Sequence, residues 1–170
     1  MKKEIFILDS NAYITPHRNY YAGDIIPTYW DKLVPHISAK EIVLLDMVRA
    51  EIEKGQDSLA EWLLEQDFEI CWHATPKIVQ NYGQIMNYIQ NCGYYNEKGL
   101  DSWAQNDVAD PWIIASAMAN GYTVVTFEQS VGNLTHMGII GKVKIPDVAK
   151  YFGVECISLF EMMRKLRIKI

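Results

Sequence analysis

The chain lacks any Cys-x-x-Cys pair; its three cysteines, Cys71, Cys92 and Cys156, are widely spaced and odd in number. That set builds neither a zinc knuckle nor a disulfide framework. Long apolar runs are missing too, and none nears the roughly 18 residues that a membrane-spanning helix requires. After Met1-Lys2-Lys3-Glu4 the apolar stretch is only Ile5 to Leu8 before Asp9, whereas a secretory signal needs about 7–15 such residues. A cytoplasmic protein without a membrane partner is therefore expected. A basic excess is absent as well: 16 Lys and Arg face 21 Asp and Glu, a net charge of -5. Taken whole, that balance does not suit a nucleic-acid partner held by bulk electrostatics.

What is present is an ordinary globular composition over 170 residues, 49% hydrophobic and 22% charged, with 10 Gly and 6 Pro. Disorder is excluded, and the length suits a single domain with a sufficient core. Ile5-Phe6-Ile7-Leu8 reads as a strand buried on both faces and stopped by Asp9-Ser10-Asn11. Helical spacing over 26–37 is interrupted by Pro35, and Ile42-Val43-Leu44-Leu45 gives a second strand followed by Asp46. Helices are predicted over 47–54 and 58–65, a strand over 68–72, and a long helix from Thr75-Pro76 to near Gly93. Residues 94–106 read as a loop-like insertion. A helix over 107–120 ends at Gly121, and Thr123 to Phe127 forms a β-branched strand ending at Glu128. Strands over 142–145 and 154–157, a short helix from Pro146-Asp147 and a closing helix over 158–168 complete the chain. Alternating strands and helices predict an α/β fold, with a mostly parallel sheet and helices on both faces.

In such a sheet, ligands bind beyond the carboxyl ends of the strands. Asp9, Asp46 and Glu128 follow three strands there, Glu51 lies one turn after Asp46, and Asp110 opens the helix that feeds the strand at 123. Carboxylates gathered on one rim repel one another unless a cation intervenes. Mg²⁺ or Mn²⁺ suits oxygen donors, and the scattered histidines (His17, His36, His73, His136) offer a softer metal no cluster. Each acid also has a purely structural account. Asp9 suits an Asx-turn, Asp107 or Asp110 a helix N-cap, Glu51 a solvated helix face, Glu128 a turn, and Asp147 a helix-start charge.

Read together, several segments resemble the PIN-domain superfamily of metal-dependent nucleases. They are Phe6-Ile7-Leu8-Asp9-Ser10-Asn11, Val48-Arg49-Ala50-Glu51-Ile52, Ala109-Asp110-Pro111-Trp112-Ile113-Ile114-Ala115 and Thr123-Val124-Val125-Thr126-Phe127-Glu128. The stretch Lys144-Ile145-Pro146-Asp147-Val148, with Val154 and Phe160 beyond it, is similar to a PIN-like bacterial family, and the likeness spans residues 4–166. The resemblance implies a PIN-like three-layer sandwich forming one domain over residues 1–170. It further implies an endoribonuclease using one or two Mg²⁺ or Mn²⁺ ions, of the kind found as the toxin of a toxin–antitoxin pair, leaving a 5′-phosphate and a 3′-hydroxyl.

Carried over by position, Asp9, Glu51 and Asp110 are the metal ligands and catalytic acids, and Glu128, the fourth catalytic acid, stands where the superfamily usually has Asp. Ser10 and Thr126 are hydroxyls that orient carboxylates or the attacking water. Asp46 is the alternative to Glu51. The four acids carry most of the net charge of -5, and one or two bound divalent ions would leave about -3 or -1. Arg164, Lys165 and Arg167, with Lys169, form a basic strip for RNA phosphates, although cations also suit a helix C-terminus. Tyr94, Tyr95 and Trp103 either stack on bases or pack under the insertion. A homodimer and an antitoxin partner are expected. Two other readings stand beside this one: a catalytically silent PIN-like binding module, and a haloacid-dehalogenase-type phosphatase, which would want an Asp where Asn11 stands.

Overall fold

The computed structural model describes residues 3–170. Five strands form one parallel sheet in the order β3-β2-β1-β4-β5. The strands are β1 (Phe6–Leu8), β2 (Ile42–Leu45), β3 (Glu69–Cys71), β4 (Thr123–Val125) and β5 (Cys156–Ile157). Ile7 pairs with Val43 on one side and Val124 on the other, and all three are buried. That double burial is why these strands are continuous apolar runs rather than alternating ones.

The chain moves outward from β1 to β2 to β3, then returns past β1 to lay down β4 and β5. Parallel crossovers are right-handed, so this reversal puts the connecting helices on opposite faces. One layer holds α1 (Ser10–Thr15), α2 (Pro27–Ser38), α3 (Asp46–Glu53) and α4 (Ser58–Glu65). The other holds α5 (Pro76–Asn91), α6 (Glu97–Ala104), α7 (Asp110–Asn120) and α9 (Ile145–Tyr151). A short α8 (Leu134–Met137) and the closing α10 (Leu159–Lys165) complete the chain. The switch in direction lies between β1 and β4, which is where an open α/β sheet leaves a crevice at its carboxyl edge.

Helix α7 sets the packing of its layer. Ile113 to Ala117 are all buried, and the small Ala115 and Ala117 let α5 approach closely. The Lys77 ammonium and the Asn81 amide of α5 donate to the Ala119 and Ala115 carbonyls, so the two helices run antiparallel. Gly121 ends α7 with a positive φ of 73°, which glycine adopts without steric cost. No helix of the described residues is long and apolar enough to cross a membrane.

Two expectations are corrected, and a stretch to which the sequence assigned no element, residues 10–20, is helical, as α1 and a following π-helical turn, Pro16–Tyr20. The insertion is not a bare loop: Glu97–Ala104 is a helix, because the Asn96 side chain accepts the Gly99 N–H at 3.2 Å and Trp103 anchors it in the core. Residues 142–144 are not a strand. Val143 and Ile145 are buried, as their alternation with Lys142 and Lys144 suggested, but no neighbouring strand among the described residues receives the segment and it leads directly into α9.

Candidate active site

Asp9 closes β1, its N–H donating to the Val125 carbonyl at 2.9 Å and tying it to the end of β4. It occupies the N-cap position of α1, yet its side chain makes no cap. Instead the Thr126 hydroxyl donates to Asp9 Oδ2 at 3.0 Å and itself accepts the Glu128 N–H at 3.0 Å. One hydroxyl thus fixes both acids across the switch point. Asp9 is only 3% exposed, and burial pushes its carboxyl up to about 6, reinforced by Glu128 and Glu51 and opposed by Thr126.

Asp110 is the first residue of α7, and Ala109 takes the cap position, so neither Asp107 nor Asp110 is an N-cap. Burial and the charges of Asp9, Glu128 and Glu51 push Asp110 up to about 7, with Lys144 pulling the other way. Asp107 lies outside the site, exposed and 3.7 Å from Lys54.

Glu51 is on the exposed side of α3 but not loose, since the buried Ser10 hydroxyl donates to its Oε2 at 2.5 Å. Asp46, the alternative, is committed elsewhere. It accepts from its neighbour Met47 N–H at 3.0 Å, from the His73 N–H at 3.2 Å and from His73 Nδ1 at 2.6 Å. The structure therefore brings Glu51, and not Asp46, to Asp9 and Asp110.

Glu128 has both oxygens engaged. Ile145 N–H donates to Oε2 at 2.8 Å and Lys144 Nζ lies 3.4 Å from Oε1. Lys144 opens the Lys144-Ile145-Pro146-Asp147-Val148 stretch of the family resemblance but is given no site role there; the Lys142-Val143-Lys144-Ile145 alternation puts both lysines on the side opposite the core.

A groove of about 660 Å³ opens over Asp110 and Glu128, lined also by Lys98, Ser102, Lys142 and Val143. Trp103 and Tyr95 are buried, so the packing account of the insertion aromatics holds for them; Tyr94 is half-buried. The C-terminal basic strip is elsewhere. Lys165 pairs with Glu4 at 2.7 Å and Glu155 at 3.1 Å, residues that precede β1 and β5 at the amino edge of the sheet. Lys165, and with it the end of α10 that carries Arg164 and leads into Arg167, thus lies at the edge opposite the acids. A second cavity of about 580 Å³, lined by His17, Trp30 and Trp62, belongs to the other helical layer and contains none of the four acids.

The donor chemistry fits a hard divalent cation: carboxylate oxygens of like charge, one group buried (Asp9) and two half-buried (Asp110, Glu128), two of them with raised proton affinity, and no imidazole or thiolate among them. Among the described residues no three His, Cys, Asp or Glu side chains are drawn up tightly around a common point.

A family model described as a domain of unknown function (DUF4411) matches residues 6–170. No curated protein matches the chain. The fold is similar to VapBC2 from Rickettsia felis bound to a DNA fragment from their promoter, with a TM-score of 0.52 and 17% identity over 91% of this chain and 98% of that one. It is likewise similar to DNA-bound VapBC from Salmonella typhimurium, with a TM-score of 0.53 and 18% identity over 92% and 98% of the two chains. At such identities the likeness concerns the fold, which is the PIN-like α/β sandwich.

Proposed function

The chain belongs to the DUF4411 family, and we propose that it is a Mg²⁺- or Mn²⁺-dependent endoribonuclease acting as the toxin of a toxin–antitoxin pair. The observation that carries this reading is the placement of Asp9, Asp110 and Glu51 at the switch point of the sheet, with Asp9 buried, Asp110 half-buried, and the two carboxyls pushed up to about 6 and about 7. Burying such acids together costs stability, and a fold retains that cost where it serves a site.

Asp9, Asp110 and Glu51 would hold the ion. A bound ion would supply Lewis acidity for activating water and positive charge to offset that of the phosphoryl oxygens. Thr126 holds Asp9 in one rotamer, and Ser10 does the same for Glu51. Such outer hydrogen bonds set ligand direction and basicity. Glu128, held by Lys144 and the Ile145 N–H, completes the acidic wall without being free to turn inward.

The antitoxin partner is carried over from the VapBC structures that share the fold, and the homodimer from the family resemblance. The test is incubation of the purified chain with single-stranded RNA in Mn²⁺, Mg²⁺ or EDTA, with the product ends identified. Cleavage in either metal, 5′-phosphate ends, and loss of cleavage in EDTA, Asp9→Asn and Asp110→Asn are expected. Metal-independent cleavage, or cleavage surviving both substitutions, would refute the reading. No cleavage with any RNA, together with no metal response, would leave a PIN-like binding module.

A further inference from the structure

The ribonuclease reading leaves an electrostatic difficulty: an RNA strand must approach four carboxylates, and the C-terminal basic strip is on the wrong edge to help. Two other cations stand beside the acids. Lys98 and Lys142 line the same groove as Asp110 and Glu128, both are exposed, and neither has an acidic partner among the described residues.

Their placement is built by packing. Tyr94 and Asn96 exchange backbone hydrogen bonds with Ile140, at 2.9 Å and 3.1 Å, fastening the start of the insertion to the segment before α9. Gly99 lies against Val143 so closely that a Cβ there would come within 3.3 Å of its Cγ2, and a Cβ on Gly141 would meet the Asn96 amide at 3.2 Å. The first turn of α6 and residues 141–143 are thus one unit. They present Lys98 and Lys142 to the groove from segments more than 40 residues apart in the chain. Lys144 cannot share this task, because its charge is spent on Glu128.

We propose that Lys98 and Lys142 seat backbone phosphates flanking the scissile one, so that the RNA strand enters along the groove between α6 and residues 141–143. The proposal deepens the ribonuclease reading and rests on it. The groove's volume of about 660 Å³ falls within the range of pockets that enclose ligands, and the insertion that the sequence offered as a decoration becomes the wall that guides the substrate.

The experiment measures binding of an oligouridylate to the full chain as a function of salt, in an Asp110→Asn background so that the strand is held and not cut. Each phosphate contact to a single strand contributes about 0.7 to the slope of log affinity against log salt. Lys98→Ala with Lys142→Ala should lower that slope by about 1.4 and weaken binding about 25-fold at 0.1 M salt. Lys98→Arg with Lys142→Arg should keep both, and Arg164→Ala with Arg167→Ala, which removes equal charge from the opposite edge, should change neither. An unchanged slope in the Lys98/Lys142 pair, or an equal loss in the Arg164/Arg167 pair, would overturn the proposal. Cleavage assayed in parallel on chains with Asp110 intact separates the failures. Metal-dependent cleavage with an unchanged slope sinks this inference alone, whereas absent cleavage and absent metal response sink the reading beneath it.

Discussion

Lys144 and Glu128 form an ion pair inside the candidate site: Nζ lies 3.4 Å from Oε1, and both side chains are largely shielded, at 20% and 17% exposure. The next backbone N–H, of Ile145, takes the other oxygen at 2.8 Å. A resident cation therefore already offsets part of the acidic charge, and Asp110 senses it. Removing one partner of a shielded pair leaves an uncompensated charge. For a partly exposed pair this costs about 1–3 kcal/mol after solvent screening. Lys144→Met should thus lower the melting temperature in EDTA by roughly 2–12 °C for a domain of this size, and saturating Mn²⁺ should recover more stability in the variant than in the parent. An unchanged melting temperature would show the pair to be incidental.

The choice between Glu51 and Asp46 is testable through Ser10. Ser10→Ala removes the 2.5 Å hydrogen bond that holds Glu51, and loss of an orienting partner of this kind typically weakens metal binding about 10–100-fold. Asp46→Asn should leave Mn²⁺ affinity unchanged, since Asp46 is bound to His73. Calorimetric titration of both variants decides between them, and the reverse pattern would move the second acid to Asp46.

Burial gives the metal-free protein a defined pH dependence. Asp9 and Asp110 rise from 3.8 to about 6 and about 7, so between pH 4 and 7 the folded state keeps protons that the unfolded chain has released. Stability must fall as pH rises through that window and level off above it. For Asp9 alone the loss is on the order of 3 kcal/mol. Denaturant melts in EDTA at pH 5 and pH 8 should show this fall, and Asp9→Asn or Asp110→Asn should flatten it while being more stable than the parent at pH 8. Equal slopes in parent and variants would mean that the acids are not desolvated together.

Thr126 holds Asp9 on one side and the Glu128 N–H on the other. Thr126→Val keeps the shape and removes both bonds, leaving a buried carboxylate without its donor, a cost of about 1–3 kcal/mol. The melting temperature should drop in EDTA and metal affinity should weaken with it, whereas Thr126→Ser should retain both. A Val variant with parental metal affinity would remove Thr126 from the site.

Much of this arrangement was legible because it follows from strand chemistry. A strand buried on both faces is an unbroken apolar run, so Ile5 to Leu8 and Ile42 to Leu45 declared themselves, and the polar residues that stop them fall at the carboxyl edge, where Asp9 sits. Glu51 was different: on an exposed helical face it looked like any solvated acid, its place one turn after Asp46 was a weak signal, and the family resemblance preferred it to Asp46. Neither Lys144 nor Lys98 was given a site role by the sequence, since a lysine's partner depends on which distant segment packs beside it. Residues 142–145 show the same limit. Their alternation correctly placed Val143 and Ile145 inward, but a carboxylate, rather than a neighbouring strand, took the Ile145 N–H. The basic end of α10 was read from local charge alone, and chain crossing carried it to the opposite edge.

The central claim is that Asp9 and Asp110 hold a divalent cation, and the most direct test is Mn²⁺-dependent stabilisation of the parent chain, Asp9→Asn and Asp110→Asn. At ten times its dissociation constant the ion should add about 1.4 kcal/mol, moving the parent's melting temperature by roughly 3–6 °C. The shift should vanish in both Asp variants and persist in Lys98→Ala. A parent that does not respond to Mn²⁺ or Mg²⁺, or Asp variants that respond as the parent does, would contradict the account.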